Sequence, residues 1–241
     1  MTGSPADPST SSPACPAAAQ RGAEGFRLGN EILAFRFVAT LGERRADPVE
    51  RIATPERLRA WLAANGLGGT DTPVTEALLR DARELREAIH RAGTAVACGG
   101  VPEAADEELL NRWGARHRAR LSLCGGQAQW HLPDADPARA ALAVVALDAV
   151  ATLGGQRDGV LKRCEQATCG GLFVDTSRGG RRRWCSMATC GNKVKKANLK
   201  ASRDCAGAGA APEAASRPGA ASRSGGASEA ASGAGRQGQP A

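Results

Sequence analysis

Two pairs of cysteines constrain this chain more than any other feature. Cys164 and Cys169 form one C-x4-C pair and Cys185 and Cys190 a second, with fifteen residues between the pairs. A short loop that returns a second thiol beside the first suits a tetrahedral metal. Two such loops complete a four-sulfur shell and leave no open position for water or substrate. The spacing therefore predicts a structural metal site formed by Cys164, Cys169, Cys185 and Cys190. Zn2+ is the expected ion. Iron is the alternative, because four thiolates also hold iron, and the surrounding cations do not separate the two.

Charge is concentrated around these cysteines. Residues 160–203 carry eleven Lys or Arg against two acids, a net of +9, within a chain whose total is +7. Residues 204–241 hold three charges of each sign, so residues 1–159 sum to −2. Binding to a polyanion is expected in the cysteine module and not in the rest. Aromatic residues make up only 3% and Tyr is absent, which argues against a base-stacking platform for single strands. No stretch has the apolar length of a membrane span. The N-terminus shows no basic start followed by an apolar core. The cysteines accordingly read as reduced thiols of a cytoplasmic protein, which favours metal ligation over disulfides.

The rest of the chain reads as mainly α with one β-hairpin. Residues 1–25 and 204–241 are rich in Ala, Gly, Ser and Pro, too poor in large apolar side chains to offset the entropy of ordering. Both are expected to be disordered tails. Ile32–Ala39 is an apolar run that fits either a buried helix or a strand. Thr54-Pro55 opens one helix and Thr72-Pro73 a second, which Gly93 should end. A third helix is expected from Pro102 to Arg118. Leu121 and Leu123, then Gly125-Gly126, then Trp130 and Leu132 give a hairpin pattern. Pro137 to Leu153 forms a strongly apolar fourth helix, the expected centre of the core. The domain boundary falls near 154–160, with a helical domain at 26–153 and the metal module at 160–203. In the module a small zinc-ribbon-like unit is followed by a helix, with Asn192 as its N-cap. Lys193, Lys196 and Lys200 share one face of that helix, and Lys195 adds to its charge. Arg178, Arg181, Arg182 and Arg183 form a second cluster before Cys185. Arg can bind phosphate or guanine edges in bidentate fashion. These eight residues are the candidate DNA contacts, and solvated charges that keep a small module soluble are the bland alternative. Asp175 should cap a turn or orient Arg178, and Trp184 and Phe173 should pack inward.

The stretch from Arg163 to Lys196 resembles the CGNR zinc finger. The resemblance rests on both cysteine pairs, on Phe173-Val-Asp-Thr-Ser-Arg178, on Arg182-Arg-Trp-Cys185-Ser-Met-Ala-Thr-Cys190 and on Gly191-Asn192-Lys193. Lys193 stands where the family motif has Arg, which keeps the charge and loses the planar fork. In that family an N-terminal ABATE domain precedes the finger. Residues 26–153 are similar to one, chiefly through Leu79-Arg-Asp-Ala-Arg-Glu-Leu-Arg86 and the hairpin. Arg36 and Ala39 depart from the Asp and Asn expected in its opening segment. The resemblance implies a stress-response transcription regulator that binds double-stranded DNA. It leaves the N-terminal domain a regulatory role, through a small-molecule effector or a homo-oligomer, with self-association favoured slightly because of those two departures.

Other signals carry less. His90, His117 and His131 lack ligand spacing. Cys98 and Cys124 read as buried small residues or incidental thiols, and Cys15 and Cys205 have no partner pattern. No Gly-Lys-Ser/Thr follows the glycines at 154–159, so no phosphate loop is read there. With no nucleophile elbow and no paired acids, an enzyme is not expected. The rival readings are a zinc-stabilised protein-interaction adaptor and an RNA-binding protein.

Overall fold

The computed structural model describes residues 25–69, 71–116, 118–133 and 135–208. The expected tails lie outside these residues, except Gly25 and a helical stretch over 204–208. His117 and Cys15 also lie outside. Contacts group the chain up to Lys200 into one compact unit and the chain from Ala201 into another.

Ile32–Ala39 resolves as a helix, α1 (Leu33–Val38), which buries Ala34, Phe35, Phe37 and Val38. Its start is fixed from elsewhere: the Ala34 amide donates to Asp148 Oδ2 at 2.9 Å. A two-residue ladder follows, β1 (Leu41–Gly42) against β2 (Val49–Glu50). Helix α2 (Pro55–Ala64) begins as the sequence requires, with Thr54 accepting from the Arg57 amide and Pro at the first position. It buries Leu58, Trp61 and Leu62. The Trp61 and Phe37 rings meet at 5.0 Å, tilted by 51°.

Helix α3 (Glu76–Ala97) differs from expectation at both ends. Its cap is Thr75, whose Oγ1 accepts from the Leu78 amide at 3.1 Å, not Thr72. It also runs through Gly93. A Cβ at position 93 would lie 2.5 Å from Leu172 Cδ1, so this glycine is a packing notch and not a stop signal. Local rules could not separate the two, because the residue that needs the space comes from 79 positions later.

Helix α4 (Ala104–Gly114) is shorter than the expected span. The hairpin pairs β3 (Arg120–Cys124) with β4 (Gln127–His131), Leu121 opposite Trp130 and Leu123 opposite Ala128. Leu121 and Leu123 remain exposed, whereas Trp130 and Leu132 are partly buried against the main core, so only the second half of the alternation marks a packed face. Helix α5 (Pro137–Leu153) is central: Ala138, Ala141, Leu142, Val145, Ala146 and Ala149 have no exposure. Its alanines let α1, α3 and α4 approach closely, and α4 and α5 pack on one another.

The last sheet is β5 (Val160–Arg163) paired antiparallel with β6 (Leu172–Asp175), Leu161 opposite Val174. Both strands lie against α3. Leu172 and Val174 belong to the same buried cluster as Leu85 and Ile89. The cysteine module therefore contributes to the main core, and residues 154–160, all exposed, connect two parts of one packed unit. Helix α6 (Asn192–Ala208) ends the described chain.

Charge is also buried in the helical part. Arg86 is 3% exposed. It donates to Glu50 Oε1 and Glu87 Oε1, each at 2.8 Å, and to Thr40 Oγ1 at 3.2 Å. This network ties the β1–β2 turn to α3. Arg36, the first departure noted above, donates to Asn30 O and to Asn65 Oδ1.

Candidate metal centre

Cys164 follows β5 directly, and its amide donates to Gly171 O at 2.8 Å. That bond closes the 164–171 loop and sends the chain back as β6. The second pair is organised differently. Ser186 is the N-cap of a π turn over Met187–Gly191 that runs straight into α6, and it accepts from the Thr189 amide. Asn192 is consequently not the cap expected from sequence. It lies inside a continuous helix, and its Nδ2 donates to Ala188 O at 3.1 Å. The helix begins before Cys190, so that ligand is placed by helical geometry instead of by a loop.

The four sulfurs all lie within 4.8 Å of one another. Cys169 and Cys185 are 3.7 Å apart, and Cys185 and Cys190 3.6 Å. A tetrahedron with metal–sulfur arms of ~2.3 Å has edges of about 3.8 Å, so these separations fit a four-thiolate ion. Gly171 lines the cradle: a Cβ there would come within 3.2 Å of Cys169 Sγ and 3.5 Å of Cys185 Sγ. Its amide also donates to Cys169 Sγ at 3.4 Å, a bond that favours thiolate. Four crowded sulfurs cannot all ionise unaided. Hydrogen bonds from Cys169, Cys185 and Cys190 lower the Cys164 thiol. Donation first to Cys164 raises those of Cys185 and Cys190. A divalent cation at the centre would resolve that conflict, and soft sulfur donors in this shape suit Zn2+.

The eight candidate cations separate into two groups. Arg182 is engaged internally: it donates to Trp184 O at 3.0 Å and Cys185 O at 2.7 Å, and it stands 4.7 Å over the Phe173 ring. Arg183 pairs with Glu165 at 2.5 Å and lies over Trp184. Lys193 pairs with Glu43 at 2.7 Å. By contrast, Arg178, Arg181, Lys195, Lys196 and Lys200 are exposed, with no ion pair among the described residues. Asp175 caps the turn and does not hold Arg178. It accepts from Ser177 Oγ at 2.6 Å, from the Arg182 amide at 3.0 Å and from Lys162 at 2.7 Å. Lys162 foremost holds its carboxyl well below the usual carboxylate range. Phe173 is fully buried and Trp184 packs on the cysteines, as expected. Cys98 and Cys124 are exposed, contrary to the buried reading.

Sequence reasoning missed how the helical part grips the module. Glu43 has a positive φ of 50°. Its carboxylate takes Lys193 at 2.7 Å, Arg27 at 2.8 Å and the Thr168 hydroxyl. Lys193 first, then Thr168, lowers its pKa to about 2. The Arg44 and Arg45 amides donate to Cys169 O and Thr168 O at 3.3 and 3.1 Å. His90, half-buried, donates from Nε2 to Gly170 O at 2.9 Å. Burial, then Arg44, lowers its pKa. No local signal marks these contacts, since Glu43 and Lys193 are 150 residues apart.

The fold and the site together define a helical domain fused to a four-cysteine finger. The family model ABATE, "Putative stress-induced transcription regulator", matches residues 31–156, and the CGNR zinc finger matches residues 161–203. The first match spans more than half of the chain, and the chain belongs to the ABATE family. Its cofactor is Zn2+. No individual curated protein matches it. Among the described residues, no helix is long and apolar enough to cross a membrane.

Proposed function

We propose that this protein is a zinc-dependent transcription regulator whose finger binds double-stranded DNA through phosphate contacts. Zn2+ is held by Cys164, Cys169, Cys185 and Cys190 and acts structurally, since four protein sulfurs leave no position for substrate. The protein is not an enzyme, and its N-terminal domain serves regulation or assembly in the cytoplasm. One observation carries this reading: five cations, Arg178, Arg181, Lys195, Lys196 and Lys200, stand exposed on one small module with no ion pair among the described residues. Surface cations left unpaired at this density favour a polyanion. The three other candidates, Arg182, Arg183 and Lys193, hold the finger's own structure.

Each phosphate contact contributes roughly 0.9 to the slope of log affinity against log salt. Replacing the five exposed cations by Gln in the full chain is expected to flatten that slope by several units, measured by fluorescence anisotropy with a duplex. An unchanged slope, or binding confined to structured RNA or to an acidic protein, would refute the assignment.

A further inference from the structure

A cavity of about 290 Å³ lies where the N-terminal segment meets the finger. Phe26, Leu28, Phe35 and Ala39 line it from the helical part, and Cys185 and Ala188 from the finger. None of these residues has a part in the DNA reading beyond the metal ligand itself. The polar side chains on its wall already have partners. Arg27 is paired with Glu43. Asn30 donates to Leu172 O and accepts from the Ile32 amide, both at 3.0 Å. Ser186 accepts from the Thr189 amide at 3.3 Å. An anion would thus be desolvated beside a net-negative four-thiolate centre, and a cation beside the Arg27 guanidinium, which is already paired with Glu43; each is unfavourable. The volume is roughly twice the ~150 Å³ cavity that admits benzene.

We propose that this cavity binds a small uncharged molecule with an aromatic or aliphatic body of one or two rings. The site draws walls from both parts of the chain, so a guest requires the finger to be docked. Binding and finger retention are then linked, and each strengthens the other by the same factor. This linkage rests on the zinc assignment at Cys169 and Cys185; the cavity itself does not.

The test uses the full zinc-loaded chain, with indole and 2-naphthol as probes. Titration calorimetry should show one saturable site per chain. Ala39→Phe, which fills the cavity, should weaken binding at least tenfold, and Ala188→Phe makes the same test from the finger side. Saturating probe should slow zinc transfer to a chromogenic chelator several-fold. Metal analysis of the same sample separates the two readings, because absent zinc would refute the metal assignment and not the cavity. The proposal is overturned if neither probe saturates a site on the unmodified protein, or if both variants bind as the unmodified protein does. Binding that appears only after removal of residues 1–24 would give the cavity to that segment and overturn it equally.

Discussion

Individual charged residues in this protein divide by where their side chains are committed. Arg182 and Arg178 are four positions apart and chemically identical, yet one bridges backbone carbonyls and the other faces solvent. Hydrogen bonds to a charged group are worth about 1.5–3 kcal/mol each. Arg182→Ala is therefore expected to speed zinc loss to a chelator, while the salt slope of the zinc-loaded fraction stays unchanged. Arg178→Ala should do the reverse, leaving zinc retention intact and lowering the slope by about 0.9. Glu43 restrains Lys193. Its pKa is lowered to about 2, so the stabilisation it provides is fully present above the ordinary carboxylate value and is lost only as pH falls toward 2. Glu43→Gln at neutral pH is expected to free Lys193 and steepen the DNA salt slope by about 0.9. No steepening would place Lys193 outside the DNA interface.

At the level of elements, the contact between α3 and β6 determines how the finger is seated. Gly93 within α3 accommodates Leu172. Gly→Ala in a helix interior ordinarily gains up to about 1 kcal/mol. Overpacking a buried contact costs about 1–3 kcal/mol. Leu172 is 2% exposed and Leu153 also borders the notch, so the overpacking term should win. Gly93→Ala is expected to lower stability in urea denaturation. The same change made with Leu172→Ala should lose less than the two single effects added. The β3–β4 hairpin sits at the other extreme. Leu121 and Leu123 are 56% and 78% exposed. Changing both to Ser is expected to alter monomer stability by no more than about 0.5 kcal/mol each, unless the hairpin face is an assembly surface. In that case sedimentation would show the loss.

For the whole molecule, the finger and the helical part share one core. Leu172 and Val174 complete it, and burying such side chains is worth about 1.5–3 kcal/mol apiece. That is a large part of the total stability of ~5–15 kcal/mol typical of a folded domain. Structural Zn2+ contributes on the order of 10 kcal/mol to the folding of its module. Chelation should therefore weaken the entire unit, and thermal unfolding by circular dichroism should show one transition shifted downward. Two transitions, with the helical one unmoved, would mean that the core contact is energetically slight. The same reasoning expects a fragment ending at residue 153 to be markedly less stable than the full chain.

Sequence alone determined the features whose causes are local. The C-x4-C spacing identified the four sulfurs, because a short loop places both thiols of a pair. Thr54-Pro55 and the apolar run from Pro137 to Leu153 placed α2 and α5, because caps and continuous burial act over a few residues. Gly125-Gly126 marked the hairpin turn for the same reason. The tertiary structure decided what depends on a distant partner. It placed Gly93 inside a helix, because Leu172 occupies the space that a side chain would need. It divided eight similar cations into three with partners in the fold and five with no ion pair among the described residues, because carbonyls near Trp184 and carboxylates at Glu165 and Glu43 are within reach only after folding. It also joined two segments that composition separates, since burial of Leu172 and Val174 against α3 depends on their position in space and not on the charge of the sequence around them.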